Sequence, residues 1–194
     1  MVDLFRLPAR LLLPSALVVA ATLAGCSPYV TGDPKTPVVG PGGGAPEFAA
    51  KVCLARNALL AQAVAASVRD NGHLVGVTQG HSHFCWLAAP GEHVIATTAD
   101  DEIAVRFAFE AGTTYYLRHA YVFSFFRANF RAEPMDDDEG KNAIASSNYV
   151  TLERVATGEE IPNPLAVVAA APHEPSVPTG FGVPSGPGTP SVTP

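Results

Sequence analysis

The chain has 194 residues, a formal net charge of −6 and only 15% charged residues. That length leaves room for one domain, and the acidic balance argues against a nucleic-acid partner, because phosphate binding wants a basic face. Of the 18 prolines, five lie between Pro28 and Pro46 and nine between Pro162 and Pro194, so they frame a central segment at 47–156.

The chain opens with Arg6 and Arg10, followed by an apolar run from Leu11 to Leu23 that ends on the small residues Ala24 and Gly25. A basic start, an apolar middle and small residues at the cut are the layout of a secretory signal. The run contains Pro14 and is shorter than the ~20 residues that span a bilayer as a helix. The stretch Leu23-Ala24-Gly25-Cys26 resembles the lipobox of bacterial lipoproteins. That resemblance implies a diacylglyceryl group on the Cys26 thiol and cleavage between Gly25 and Cys26. It also implies a fatty acyl group such as palmitate on the new amino terminus. Residues 1–25 are then a signal peptide, and membrane lipid is a partner through acylated Cys26. Two or three acyl chains, at ~0.8 kcal/mol per buried CH₂, anchor stably where one anchors marginally. Ser27 stands where an aspartate would favour the inner membrane, so the same resemblance points to the outer membrane, facing the periplasm.

Residues 26–46 include Pro-Lys-Thr-Pro and Gly-Pro-Gly-Gly-Gly, and read as a tether with too little apolar surface to fold. The glycines follow no strand, so they do not read as a phosphate cradle. The first strand is expected at Ala50–Asn57, with Val52 and Leu54 on one face and Lys51, Cys53 and Ala55 on the other. Val64–Thr78 reads as a hairpin around Asp70-Asn71-Gly72, because Asn-Gly tolerates the positive φ of a tight turn. Gly76 within it marks a bulge or a close backbone approach. A strand at His81–Leu87 puts Phe84 and Trp86 on one face and His81, His83 and Cys85 on the other. Pro90-Gly91 turns the chain into Glu92–Thr98. Ile103, Val105, Phe107 and Phe109 then alternate with Ala104, Arg106 and Ala108, the clearest period of two in the chain. Thr113–Phe125 is expected as the longest strand, with Leu117 and His119 on the same face as Tyr115, Tyr121 and Phe123.

One helix is expected at Asp137–Ser147, capped by Asp136 in an Asp-x-x-Glu variant of the capping box, with Ala143 and Ile144 facing the sheet. Gly140 weakens that helix by about 1 kcal/mol. The acidic run lacks the spaced ligand pattern of an EF-hand. Tyr149–Val155 reads as a last strand, and residues 157–194 as a disordered, Pro-rich tail. Short strands at regular spacing make the fold mainly β, a small antiparallel β-sandwich with one short helix.

The central segment resembles an uncharacterised family of bacterial lipoprotein domains. The resemblance rests on Val52–Arg56, Asn71-Gly72 with Val75-Gly76, Phe84, and Pro90-Gly91-x-His93. It continues through Ala111-Gly112-x-x-Tyr115-Tyr116 and Asp138-Glu139-Gly140. A fainter likeness links the Gly-x-x-Val-Gly and Pro-Gly-x-His pieces to PEGA-type surface modules. Both imply a compact β domain at the cell envelope, and neither assigns a reaction.

With Cys26 lipidated, Cys53 and Cys85 remain as an even pair in an exported chain, where disulfides persist. Both lie on the side of their strands opposite the large apolar residues. If those strands are neighbours, the thiols meet in a disulfide; otherwise they are two buried thiols. His81, His83 and Cys85 share one strand face, a possible set of metal ligands, though no Cys-x-x-Cys or His-Glu-x-x-His accompanies them. Half-exposed histidines on an edge strand are the plainer reading. Gly80-His81-Ser82-His83-Phe84 lacks the last glycine and the strand-turn-helix of a nucleophile elbow. The aromatic group from Tyr115 to Phe126 reads mainly as core, with Phe125 and Phe126 exposed at an end.

The expectation is therefore a lipid-anchored, non-enzymatic binding or structural module with no cofactor. An envelope protein or polysaccharide is its expected partner. The alternative is a metal- or small-ligand-binding periplasmic protein using His81, His83 and Cys85.

Overall fold

The structure is a computed structural model and describes residues 27–33, 39–40, 42–124 and 126–172. In chain order it forms β1 (Tyr29–Gly32), β2 (Ala50–Arg56), β3 (Ala66–Asp70), β4 (His73–Thr78), β5 (Ser82–Ala88) and β6 (Gly91–Thr98). There follow β7 (Glu102–Phe109), β8 (Thr114–Val122), β9 (Asn129–Met135), α1 (Asp137–Ala145), β10 (Asn148–Tyr149), β11 (Thr151–Val155) and β12 (Val167–Val168).

Two sheets face each other. One has the order β4-β3-β6-β7; the other runs β10-β5-β2-β8-β9, with β12 also paired to β5. The core between them is built by Val52, Leu54, Phe84, Trp86 and Leu117 from one sheet and Val68, Ile95 and Phe109 from the other. The fold is therefore mainly β, with the two layers of a sandwich and one short helix, as the alternation of apolar residues requires.

Several local expectations are met for identifiable reasons. Asn71 and Gly72 sit at φ 47° and 83°, the two left-handed residues of a primed hairpin turn. Gly76 is a close approach: a Cβ there would lie 2.5 Å from the Phe84 ring, while the register shift falls opposite it, between Val68 and Arg69. Asp136 caps α1 by accepting from the Glu139 N–H at 2.8 Å. Glu139 does not bond back to the cap; its carboxylate pairs with Arg118. Gly140 and Ile144 are the buried residues of the helix. A Cβ at position 140 would lie 2.2 Å from the Tyr116 Cγ, so the glycine lets the helix sit directly on the sheet.

Three features differ from the sequence reading. First, β2 pairs antiparallel with β5 but parallel with β8. The intervening chain passes through the whole opposite sheet before returning, and parallel neighbours need such a long crossover. Second, β2 is buried on both faces. Its Cys53 side is not a polar face: Cys53, Ala55, Cys85, Leu87 and Tyr116 form a second core with Val39 and Ile144. Third, β9 has no counterpart in the reading. Pro134 disguises it, and a proline is tolerated there because β9 ends its sheet.

Strand pairing also reaches beyond 47–156. Tyr29–Gly32 pairs with Thr151–Val155 as a separate two-stranded ribbon. The ribbon covers Leu74 and Val77 of β4 with Tyr29, Leu152 and Val155. Farther on, Val167–Val168 adds to β5 in parallel. Too few apolar residues mark either segment by themselves; each is ordered by an edge it covers.

Candidate functional site

Cys53 and Cys85 face each other across β2 and β5 and form a disulfide, with Cα atoms 4.1 Å apart. Directly opposed residues of an antiparallel pair reach this closeness at the non-hydrogen-bonded positions. The lipobox residues Gly25 and Cys26 lie outside the described residues, as does Phe125.

The disulfide takes Cys85 away from the proposed ligand set. His81 is exposed and its Nε2 lies 3.4 Å from Gln62 Nε2. His83 is buried against the Tyr149 ring, and its Nδ1 lies 2.9 Å from the Ser147 hydroxyl. Burial lowers the His83 pKa, against the opposing effect of Ser147. Among the described residues, no three His, Cys, Asp or Glu side chains are grouped to hold a metal ion. Phe126 is 98% exposed, as expected, but so is most of Phe123, at 73%.

Two polar clusters inside the sandwich were not foreseen. In the first, Asp70 accepts from Trp86 Nε1 at 2.9 Å and lies 2.6 Å from His93 Nδ1. His93 Nε2 donates to the Ala89 carbonyl at 2.9 Å. The Asn71 Nδ2 also lies 3.3 Å from His93 Nδ1. Asp70 and His93 are both fully buried. The cluster bonds β3, β5 and β6 together across the core. Its sequence signal was present: His93 shares the inward parity of Ile95, and Asp70 that of Val68.

In the second cluster Arg56 is fully buried. Its Nη1 donates to the Val64 carbonyl at 2.7 Å and to the Thr78 carbonyl at 3.4 Å, and its Nη2 to the Ala61 carbonyl. Its Cζ stands 3.9 Å over the Phe130 ring, a cation–π contact. Among the described residues no carboxylate pairs with it, so carbonyl dipoles and an aromatic face balance the charge. Desolvation pushes its pKa down to about 10, which leaves it charged at neutral pH. His119 lies beside it, with Nδ1 2.8 Å from the Thr78 hydroxyl. Burial, with Arg56 adding repulsion, pushes the His119 pKa down to about 3. The nearest thing to a signal was Arg56 at the end of an apolar strand.

Clefts open on the surface of the described residues, among them two of size. One, of about 490 Å³, lies between β4 and the strap at 159–169, with Leu74, Val75, Trp86, Ile161 and Pro162 among its walls. The other, of about 910 Å³, lies between β8 and α1, where Arg118 and Glu139 pair across it beside Met135 and Asn142. Both fall in the size range of small-molecule sites. These features define a disulfide-linked β-sandwich with two buried polar clusters. Comparison with protein-family models, with curated proteins and with solved structures returns no match.

Proposed function

We propose that this chain is a lipid-anchored cell-envelope protein whose β domain acts as a non-enzymatic binding or structural module. The observation that carries the reading is Leu23-Ala24-Gly25-Cys26 at the end of a signal-like apolar run. The Cys53–Cys85 disulfide supports it, since such bonds persist in exported proteins. The non-enzymatic part is supported by where these titratable side chains lie: His93, Asp70 and His119 are buried in the core. Ser27 favours the outer membrane, with the domain facing the periplasm and an envelope protein or polysaccharide as its partner. The test is Cys26→Ser, followed by membrane fractionation and intact mass. The wild type should carry acyl mass and pellet with membranes; the variant should be neither processed at Gly25 nor acylated. A processed, membrane-bound Cys26→Ser protein would refute the reading.

A further inference from the structure

The residues that follow Cys26 are not a free tether. Ser27 Oγ accepts from the Tyr29 N–H at 3.3 Å, the Pro28 carbonyl accepts from the Ala156 N–H at 2.7 Å, and Tyr29 pairs with Val155. Tyr29 also packs against the Leu74 and Val155 cluster. Strand pairing is therefore in place three residues after Cys26. A flexible tether of about 20 residues would hold the domain roughly 25 Å from the anchor. Three extended residues reach only about 10 Å, and the polar layer of a leaflet is itself about 5–8 Å deep. A domain on so short a leash must touch the lipid surface.

The ribbon also fixes which end touches. β1 is antiparallel to β11, so its amino end lies at the Val155 end of β11. From there the chain turns at Gly158 to Glu159, whose carboxylate accepts from Arg69 Nη2 at 2.7 Å, beside the β3–β4 turn. The strap at 159–169 crosses this region and exposes Ile161 at 44% and Leu165 at 60%. β2 and β8 run parallel, so the loops after them leave together from the other end of the sandwich. Those loops carry Leu59, Leu60 and Phe126.

Resting on the lipid-anchor reading, we propose that the strap and the β3–β4 turn form a membrane-contacting surface, with Ile161 and Leu165 in the polar layer of the bilayer that holds Cys26. Leu59, Leu60 and Phe126 then face away from that bilayer. Glu159 is balanced by Arg69, but Glu160 is exposed, so the surface suits zwitterionic rather than anionic headgroups. The same placement sets the mouth of the 490 Å³ cleft, walled by Leu74, Val75 and Ile161, next to the lipid.

The test uses the full mature lipidated protein in phosphatidylcholine vesicles. A polarity-sensitive fluorophore is attached at Ile161→Cys, at Leu165→Cys or at Phe126→Cys; Cys53 and Cys85 are buried and bonded to each other, and Cys26 carries the lipid in this reading. A nitroxide carried near the lipid headgroup should quench the probes at 161 and 165 and leave the one at 126 bright. A long Gly-Ser spacer inserted between Ser27 and Pro28 should restore fluorescence at 161. Protein that floats with the vesicles yet shows equal quenching at 161, 165 and 126 would overturn the contact surface alone. Protein that does not float would overturn the anchor reading, and this proposal with it.

Discussion

Acid lability traced to one histidine is the sharpest consequence of this core. His119 is 1% exposed, sits beside the Arg56 charge, and has a folded-state pKa of about 3. In the unfolded chain the same imidazole titrates near 6.5. Below that value the unfolded state binds a proton that the folded state refuses, so stability falls as pH falls from about 6.5 to about 3. Between pH 7 and pH 5 this group alone should remove about 2 kcal/mol, from about 1.4 kcal/mol per pH step below its free value. A urea midpoint would then drop by about 1 M for a domain of this size. The perturbation is His119→Gln, which cannot titrate here and can still bond the Thr78 hydroxyl. It should be less stable than wild type at pH 7, with a visibly shallower pH dependence between 7 and 5. The assay is urea unfolding at both pH values, with the slope m checked for constancy. If wild type and His119→Gln lose equal stability on acidification, His119 is not the group that resists protonation.

Other changes test separate parts of the structure. Replacing Cys53 and Cys85 together by alanine should cost about 3–4 kcal/mol, because the closed loop spans 32 residues; reduction of the wild type should lower its melting temperature comparably. Gly140→Ala should destabilise despite a helix-propensity gain of about 1 kcal/mol, since the new methyl meets Tyr116; a raised melting temperature would show that the helix can lift without loss. Asp70→Ala strips both the Trp86 N–H and His93 of their acceptor and should cost about 3–5 kcal/mol, seen as a loss of soluble or cooperatively unfolding protein.

Much of the β layer was readable along the chain. The alternation of Ile103, Val105, Phe107 and Phe109 predicts the more covered face of β7, and Asn71-Gly72 predicts the turn between β3 and β4. Both signals are local: side-chain parity follows the pleat, and a left-handed φ is a property of single residues. Asp136 likewise announces the start of α1. What stayed hidden depends on neighbours far along the chain. Lys51, Cys53 and Ala55 look like a solvent face until α1 and Val39 are seen to cover them. Tyr29–Gly32 and Val167–Val168 look like linker until the edges they pair with are in place. Arg56 and His93 look like surface polar groups until carbonyls and Asp70 close around them.

The amino-acid sequence alone determined the mainly β class, the capped helix and the signal-like start with its Cys26. Hydrophobic period, turn chemistry and cap residues act within a few positions of one another, so they need no knowledge of the fold. The tertiary structure decided the parallel union of β2 with β8, the second core beneath α1, the buried Asp70–His93 and Arg56–His119 clusters, and the pairing of Tyr29–Gly32 with β11. Each of these depends on which surfaces meet when two sheets and a ribbon close. Burial, and the pairing it forces on polar groups, belongs to the assembled layers rather than to any stretch of chain.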